Sequence, residues 1–342
     1  MQASAKFLLV LKKGSFVYFI RFFAGIQYFN HGYSNYILLY GIFFSMNSNH
    51  TIFSFEVFPP KKTMNIETVY KTLDELSGIK PDFISVTYGA GGSANCGNTL
   101  NIANRIKDVC GVQSVVHLPC INMTKKDALF VLEQFQEAGI ENILALRGDR
   151  VEGVEPCNDF AHASDLIRFI KEFDAKRTDG KSFKLFGACY PERHPESPDV
   201  LSDIKALKDK VDAGAEHLLS QLFFDNEKFY RFVERARLAG ITVPIEAGIM
   251  PATNKKSIER MVSMTNAVLP KKFVRMMERY ADSPEAIRDA GIAYAVDQIV
   301  DLVTNGVEGI HLYTMNNSYV AERINSAVRS LFSEPPVEME IK

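Results

Sequence analysis

In residues 125–148, KKDALFVLEQFQEAGIENILALRG, the sequence shows one unit of a pattern that decides the fold. Apolar residues recur every three or four positions in Lys125–Ala138, which predicts an amphipathic helix. Gly139 follows, and glycine favours a helix end because it readily adopts the left-handed conformation. The next apolar run, Asn142–Gly148, is typical of a parallel strand that is buried on both faces.

The same alternation extends through the chain from Thr51. The candidate strands are Thr51–Phe58, Asp82–Gly89, Gln113–Cys120, Asn142–Gly148, Lys184–Pro191, His217–Phe224, Val243–Pro251 and Gly309–Asn316. Further helices are predicted at Ile66–Leu76, Thr99–Val109, Asp203–Ala213 and Phe229–Ala239, and helix-ending glycines at Gly78, Gly139, Gly214, Gly240 and Gly306. Eight such units predict an α/β fold with a single (β/α)8 TIM barrel rather than an open doubly wound sheet.

The seventh unit of this barrel is enlarged. Two helical patterns, Lys256–Thr265 and Pro284–Asn305, separate the seventh strand from the eighth. We expect Pro270-Lys271-Lys272 to form the loop between them. The sequence therefore predicts a catalytic barrel over residues 46–342.

The composition is that of an ordinary globular protein. Of the 342 residues, 46% are hydrophobic and 23% are charged, and the net charge is −2. These values exclude disordered, collagen-like and disulfide-scaffold chains and give no support for nucleic-acid binding. None of the five cysteines, Cys96, Cys110, Cys120, Cys157 and Cys189, lies in a C-x-x-C pair, so we expect reduced thiols in a cytoplasmic protein and no metal site.

Residues 1–45 differ from the rest of the chain. They are rich in Phe, Tyr, Ile and Leu, and the first acidic residue is Glu56. Polar residues such as Arg21 and His31 interrupt the run of about 20 apolar residues that a transmembrane helix needs. We expect Met46 to be the biological start and residues 1–45 to be a non-native or disordered hydrophobic extension. A membrane-associating leader is the alternative, and we expect no membrane contact from the catalytic domain.

Polar residues gather where the predicted strands end, which is where a β/α barrel carries its active site. Glu56 interrupts an otherwise apolar strand. Burial without a partner favours the protonated form of a carboxyl group, so Glu56 is a candidate general acid. The alternative is a structural ion pair with a lysine or arginine inside the barrel.

Three other polar residues have both functional and structural interpretations. Asp149 is a candidate site residue or else a helix cap or loop ion pair. His117 is a candidate ligand-binding residue or else a satisfied core histidine. Gln221 has two hydrogen-bonding groups that suit a planar heterocycle, but it could instead cap backbone groups.

The glycine-rich stretch Gly89–Ala94 fits the pattern G-x-G-x-x-A of dinucleotide-binding folds. That pattern requires an acidic residue at the end of the next strand, whereas Asp108 falls inside a helical pattern. We therefore expect this stretch to let the backbone approach a ligand at the barrel mouth.

The motifs taken in order resemble the methylenetetrahydrofolate reductase family. They are Phe55-Glu56-Val57-Phe58-Pro59-Pro60-Lys61, Ser85-Val86-Thr87-Tyr88-Gly89-Ala90, His117-Leu118-Pro119-Cys120, Ala145-Leu146-Arg147-Gly148-Asp149, Tyr190-Pro191-Glu192-x-His194-Pro195, Leu207-Lys208-x-Lys210-Val211-Asp212-Ala213-Gly214-Ala215, Gln221-Leu222-Phe223-Phe224-Asp225 and Tyr313-Thr314-Met315-Asn316. They span about residues 51–317 and correspond to the short bacterial-type enzyme.

The resemblance implies a flavoprotein of one-carbon metabolism and methionine biosynthesis. FAD would take hydride from NADH or NADPH, and flavin N5 would then deliver it to 5,10-methylenetetrahydrofolate, giving 5-methyltetrahydrofolate. The resemblance leaves the choice of electron donor open. We also expect a homo-oligomer.

The resemblance also implies roles for individual residues. Glu56 matches the family's general acid, and Asp149 matches the aspartate beside flavin and pterin that stabilises the cationic folate intermediate. Substrate contacts are implied for Gln221, Thr87 and Asp149. Cofactor contacts are implied for Thr87, Tyr88, Ala90, His117, Arg147, Gly148, Asp149, Tyr190, His194, Asp203 and Lys210.

Three positions depart from the family pattern. Lys255 replaces a phenylalanine that sandwiches substrate or nucleotide, and Asn317 replaces a basic residue that meets the folate glutamyl tail. Ala206 replaces an asparagine that contacts the flavin. Two other functions are alternatives: a barrel aldolase or lyase with a lysine Schiff base, and a non-catalytic partner protein of the one-carbon pathway. No lysine stands alone within a predicted strand, which argues against the former, and the intact set of Glu56, Asp149 and Gln221 argues against the latter.

Overall fold

The computed structural model describes residues 4–13, 16–25, 50–60, 65–88, 96–150, 153 and 155–333. Contacts divide the chain into one unit of Thr51–Ser333 and another of Met1–His50 with Glu334–Lys342. In the latter, strand β1 (Ser4–Lys13) pairs antiparallel with β2 (Phe16–Gly25). The expectations for residues 1–45 stay predictions, and Met46 lies outside the described residues.

The predicted TIM barrel is confirmed in the larger unit. Eight parallel strands follow one another around a closed barrel, and the last strand pairs with the first. The strands are β3 (Ile52–Val57), β4 (Phe83–Val86), β5 (Gln113–Pro119), β6 (Asn142–Leu146), β7 (Lys184–Cys189), β8 (His217–Ser220), β9 (Ile245–Ile249) and β10 (Gly309–Tyr313). Each lies within the predicted range. Glu56 and His117 lie inside β3 and β5, whereas Thr87, Arg147, Gln221 and Thr314 follow the ends of their strands.

Helices cover the outside of this barrel. They are α1 (Ile66–Gly78), α2 (Cys96–Asp108), α3 (Lys125–Glu137), α4 (Ala163–Asp174), α5 (Val200–Ala213), α6 (Asn226–Leu238), α7 (Lys255–Met264), α8 (Lys271–Arg279), α9 (Pro284–Thr304) and α10 (Ser318–Val328). A 3-10 turn, Arg329–Ser333, follows α10. Asp108 ends α2, as expected for a residue inside a helical pattern.

The seventh unit is enlarged, but its predicted loop is wrong. Lys271 and Lys272 begin α8, and Pro270 is the residue that caps it. A proline restricts its own φ but does not prevent a helix from starting after it. Phe273 and Met277, one turn apart, are buried in a cluster at the ends of β8 and β9. This burial fixes α8 in place.

The glycine expectation is confirmed in full at four positions and in part at the fifth. Gly139, Gly214, Gly240 and Gly306 have positive φ angles. Gly78 is the last residue of α1, as predicted, but the positive φ falls on Lys80 at 59°. Lys80 precedes Pro81, and a following proline disfavours the right-handed helical conformation. The chain therefore reverses two residues later than predicted.

Side chains fill the barrel itself. An inner cluster consists of Phe83, Val115, Leu144, Phe186 and Leu219, with Ile52 and Leu146 packed against it. A larger apolar cluster lies between strands and helices. Such filling is typical of TIM barrels, whose active sites lie beyond the strand ends and not in a pore.

Among the described residues, no helix combines the length and the apolar character needed to cross a bilayer.

Helix α9 touches the loop after β9 at Gly291. A Cβ atom at this position would lie 2.0 Å from the carbonyl oxygen of Ala252, whereas a Cβ at Gly78 would meet nothing within 4 Å. We expect Gly291→Ala to lower the free energy of unfolding by about 1–3 kcal/mol, because overpacking outweighs the better helix propensity of alanine. The matched change Gly78→Ala is expected to raise it by roughly 0.5 kcal/mol. Urea denaturation measures both, and equal effects of the two changes would contradict this account of the α9 contact.

Candidate active site

Glu56 lies near the C-terminal end of β3, and only 7% of its surface is exposed. Within 4 Å of its carboxylate the described part of the chain places two basic side chains, both histidines. Its Oε2 lies 3.5 Å from His117 Nε2 and 3.7 Å from His311 Nε2. The alternative interpretation, a structural pair with lysine or arginine, therefore does not fit these contacts.

His117 is held as a neutral ring. It is 6% exposed on β5, and burial lowers the pKa of its imidazole to about 4, although Glu56 opposes the shift. A neutral imidazole offers one donor and one acceptor nitrogen. Glu56 thus faces an uncharged partner on this side and gains no full ion pair from it.

Two residues after β10 hold the end of β3. The Thr314 hydroxyl donates to the carbonyl oxygen of Glu56 at 2.7 Å. The Asn316 side chain accepts from the N–H of Phe58 at 2.9 Å and donates to its carbonyl oxygen at 2.8 Å. The backbone that carries Glu56 is therefore fixed from the neighbouring strand.

A second group of predicted residues meets at the ends of β6 and β7. We call Arg147, Tyr190, His194, Asp203 and Lys210 the cationic cluster. The Tyr190 and His194 rings are 4.7 Å apart, edge to face, and Lys210 Nζ lies 5.8 Å from the Tyr190 ring centre. The N–H of His194 donates to Asp203 at 3.3 Å. The charge of Arg147 contributes to lowering the pKa of both His194 and Lys210, so the structure brings these five together.

Lys210 is a half-buried cation of this cluster, on α5. Burial lowers the pKa of its ammonium group, and Nζ donates to the carbonyl oxygen of Ala188 at 2.7 Å. A lysine ammonium has three donor hydrogens, so two remain for other acceptors. Burial and the presence of Arg147 lower the pKa of His194. The donor set of the cluster suits a ligand with adjacent phosphate groups.

Arg147 follows β6 and makes a two-pronged pair with Glu196, at 2.6 and 2.7 Å. These hydrogen bonds raise the pKa of the Arg147 guanidinium. Gly148 has φ 89°, and a Cβ there would lie 3.0 Å from Pro119 Cβ. The strand end is therefore packed so tightly that only glycine fits at this position.

Asp149 lies exposed after Gly148. Burial raises the pKa of Tyr190, and the charge of Asp149 is the next largest cause. Asp149 therefore lies close enough to influence the cationic cluster electrostatically. Its charge also contributes to the raised pKa of Arg147.

Gln221 and Thr87 follow β8 and β4, two strands on opposite sides of the barrel. The side-chain oxygen of Gln221 accepts from the N–H of Leu222 at 2.9 Å. The backbone N–H of Gln221 donates to the carbonyl oxygen of Cys189 at 2.7 Å. This matches the backbone-capping interpretation and leaves the side-chain amide nitrogen for other use. The half-buried Thr87 donates its N–H to Val57 at 3.1 Å.

Tyr88 and Ala90 are two further predicted cofactor contacts, and the structure describes only the first of them. Tyr88 is half-buried after β4 and packs against the larger apolar cluster. Ala90, and with it the stretch Gly89–Ala94, lies outside the described residues.

Tyr313 connects the two groups of residues. Burial, then the charge of Glu56, raises its pKa well above the usual value, and Tyr190 adds to the shift. Its hydroxyl donates to the carbonyl oxygen of Ser220 at 2.7 Å. Glu56 and the cationic cluster therefore lie around one phenol at the C-terminal end of the barrel.

Two of the three departures from the family pattern have clear local roles. Asn317 caps α10, since its side chain accepts from the N–H of Val320 at 3.2 Å. Lys255 begins α7 and pairs with Glu259 at 3.8 Å. Ala206 is exposed on α5.

Sequence reasoning missed several residues around Glu56 and Arg147. They are Ser54, Glu196, His217, Glu246, His311 and Tyr313. Three of them, His217, Glu246 and His311, are polar residues inside apolar strands, which is the same signal that identified Glu56.

Comparisons with known proteins identify the family. The model of the methylenetetrahydrofolate reductase family matches residues 43–329. The chain is 37% identical over 279 residues to methylenetetrahydrofolate reductase (NADH) 1 of Arabidopsis thaliana, covering 78% of this chain and 46% of that protein. It is 36% identical over 271 residues to 5,10-methylenetetrahydrofolate reductase of Escherichia coli K12, covering 79% of this chain and 88% of that protein.

A solved structure has a similar fold. An uncharacterized protein from Clostridium thermocellum, which binds two copies of 5-methyl-5,6,7,8-tetrahydrofolic acid, matches with a TM-score of 0.58 at 14% identity. The match covers 83% of this chain and 96% of that one. The chain belongs to the methylenetetrahydrofolate reductase family, and it spans about half the length of its plant relatives.

The neutral state of His117 predicts acid sensitivity. The folded protein holds the pKa of this ring near 4, against 6.5 in the unfolded chain, so stability is full above about pH 6.5 and falls as the pH drops toward 4. Between pH 7 and 4.5 we expect His117→Gln to lose about 2 kcal/mol less unfolding free energy than the wild type. Urea denaturation at the two pH values measures this difference. His162→Gln, at an exposed histidine, is the control and is expected to behave as the wild type; equal losses in His117→Gln and the wild type would refute the prediction.

Proposed function

We propose that this chain reduces 5,10-methylenetetrahydrofolate to 5-methyltetrahydrofolate, using FAD as cofactor and NADH or NADPH as the source of hydride. The observation that carries the proposal is the buried Glu56 carboxyl, set between two histidines at the C-terminal end of β3. An acid at this position can serve proton transfer, and the barrel belongs to a family of folate reductases.

FAD, when bound, supplies hydride transfer between the nucleotide and the folate. The cationic cluster supports its binding, because Arg147, His194 and Lys210 offer donors to the pyrophosphate and ribityl chain. Gly148 lets the end of β6 pack tightly against Pro119 beside this cluster. The proposed cofactor contacts are Thr87, Tyr88, Ala90, His117, Arg147, Gly148, Asp149, Tyr190, His194, Asp203 and Lys210.

Glu56 would act as the general acid. The five-membered ring of the folate must open to an electrophilic iminium, and a proton donated to the departing nitrogen makes this easier. The low exposure of Glu56 keeps bulk water away from its carboxyl group. Its backbone, held by Thr314, keeps the acid in place through the reaction.

Asp149 would stabilise the positive charge of the iminium through space. Its exposed position beside the cationic cluster supports this electrostatic role. Gln221 and Thr87 would contact the substrate, and the free amide nitrogen of Gln221 can donate to a folate ring acceptor. Both nucleotide and folate would use the same reactive face in turn.

The wider setting is also part of the proposal. The reaction belongs to one-carbon metabolism and would supply the methyl group for methionine biosynthesis. A cytoplasmic homo-oligomer is the form that we expect, and gel filtration with light scattering tests the oligomeric part.

Glu56→Gln tests the role of the acid. We expect folate reduction to fall by about 10²–10⁴-fold, because the amide cannot donate the required proton, while flavin reduction by the nucleotide persists. Anaerobic stopped-flow absorbance measures the two half-reactions separately. Glu133→Gln, at an exposed residue of α3, is the control and is expected to leave both rates unchanged. Normal folate reduction by Glu56→Gln would refute the assignment, and a protein that cannot be reconstituted with FAD would refute the proposed function.

Lys210→Gln tests the phosphate-binding role of the cationic cluster. We expect FAD to bind about tenfold more weakly or worse, because the buried ammonium is lost, while riboflavin, which has no phosphate, binds as before. Fluorescence titration of the apoprotein measures both affinities. Lys208→Gln on the same helix is the matched control and should bind both ligands as the wild type does. Equal losses for FAD and riboflavin would contradict the prediction.

A further inference from the structure

The segment between α7 and α8 lies against the loop that follows β7. We call residues 265–270 the α7–α8 linker and residues 190–199 the β7–α5 loop. The N–H of Val268 donates to Oε1 of Glu192 at 3.1 Å, and the side-chain amide of Asn266 donates to the carbonyl oxygen of Arg193 at 3.3 Å. These two hydrogen bonds join residues that are 76 and 73 positions apart in the chain.

The β7–α5 loop offers the linker a fixed surface. The N–H of Arg193 donates to the carbonyl oxygen of Tyr190 at 3.2 Å, and the Arg193 guanidinium donates to the carbonyl oxygen of Ser197. Arg193 has φ 74°, a left-handed conformation that a residue other than glycine keeps only where its surroundings fix it. The carbonyl oxygen that accepts from Asn266 is therefore held in place.

Glu192 differs from an ordinary surface acid. It is half-buried, and burial raises the pKa of its carboxyl group. The hydrogen bond from Val268 and the charge of Lys228 on α6 oppose this shift, whereas the charge of Asp225 adds to it. The Glu192 carboxyl is thus enclosed between the linker and the start of α6.

The linker is anchored at two neighbouring residues by different means. Ala267 is buried in the apolar cluster at the ends of β8 and β9. The next residue, Val268, is 57% exposed, so apolar burial contributes little to holding it. The hydrogen bond to Glu192 is therefore the contact that ties Val268 to the barrel.

The linker also forms one side of a cleft beside Gln221. The strand ends contribute Tyr190, Glu192 and Gln221 to the lining of this cleft, and the linker contributes Asn266 and Ala267. The side-chain amide nitrogen of Gln221 makes no hydrogen bond with the described residues, so it is available to a ligand. The position of the linker therefore sets the width of the cleft that Gln221 lines.

We propose that Glu192 is a positioning residue for the substrate: it holds the α7–α8 linker against the β7–α5 loop and thereby keeps the cleft beside Gln221 in the shape that the folate needs. The inference rests on the proposed function, in which Gln221 contacts the folate. A linker that is fixed before the ligand arrives does not have to be ordered on binding, and this raises the affinity. Glu192 acts on binding and takes no part in proton or hydride transfer.

Two substitutions of Glu192 separate the hydrogen bond from the charge. Glu192→Ala removes the acceptor for the Val268 N–H, whereas Glu192→Gln keeps a carbonyl oxygen that can accept it. In FAD-loaded protein we expect Glu192→Ala to raise the dissociation constant of 5,10-methylenetetrahydrofolate by about three- to tenfold, the effect of one hydrogen bond. The limiting rate of flavin oxidation and the affinity for FAD should stay as in the wild type.

Anaerobic stopped-flow absorbance at a series of folate concentrations measures the dissociation constant and the limiting rate separately. Glu192→Gln should bind folate nearly as tightly as the wild type. Glu278→Ala, at an exposed residue of α8, is the matched control and should leave both values unchanged.

Amide hydrogen exchange tests the contact itself without turnover. Val268 lies at the surface, so its amide should exchange rapidly once it loses its acceptor. We expect protection of this amide in the wild type and in Glu192→Gln, and exchange that is about tenfold faster or more in Glu192→Ala. Mass spectrometry at residue resolution measures the rates.

An unchanged dissociation constant in Glu192→Ala would overturn the proposal, as would equal losses in Glu192→Ala and Glu192→Gln. If Glu192→Ala does not fold, Asn266→Ala removes the second contact, and unaltered folate binding in that variant would count against the proposal in the same way. A wild type that reduces folate but leaves the Val268 amide unprotected refutes this inference alone. A wild type that protects this amide but binds no folate refutes the proposed function, and with it the ligand named here.

Discussion

The pairing of β10 with β3 is the constraint on which the rest of the structure depends. It joins the last strand to the first, 257 residues apart at His311 and Ser54, and sets Tyr313 opposite Glu56. The hydroxyl of Thr314 and the amide of Asn316 reinforce it at the mouth. Without this closure Glu56 would lie on an open edge, where neither His311 nor Tyr313 could reach it.

Much of the fold could be predicted because burial acts on each strand separately. A parallel strand covered on both faces must be apolar throughout, so eight apolar runs separated by helical patterns leave few arrangements other than a barrel. The errors arose at residues that are compatible with two different local structures. Pro270 begins the predicted loop but in the structure caps a helix, and Pro81 moves a chain reversal from Gly78 to Lys80.

The candidate site could be predicted in position but not in its contacts. Glu56 and His117 stood out because each is polar within an apolar strand, and the rule that sites lie at strand ends drew attention to the cluster around Tyr190. The partners of these residues come from strands far away in sequence, as His311 does. Which side chains meet across a barrel depends on strand tilt and stagger, and one sequence does not reveal these. The Arg147–Glu196 pair was missed for the same reason.

The packed interior limits the routes by which a ligand can enter and leave the barrel. Phe83 stacks on His311 at 6.0 Å and meets Phe186 edge to face at 5.5 Å, so aromatic rings occupy the axis of the barrel. A molecule that arrives at the strand ends must leave by the same opening. If two ligands bind at the same place there, the first has to dissociate before the second can bind.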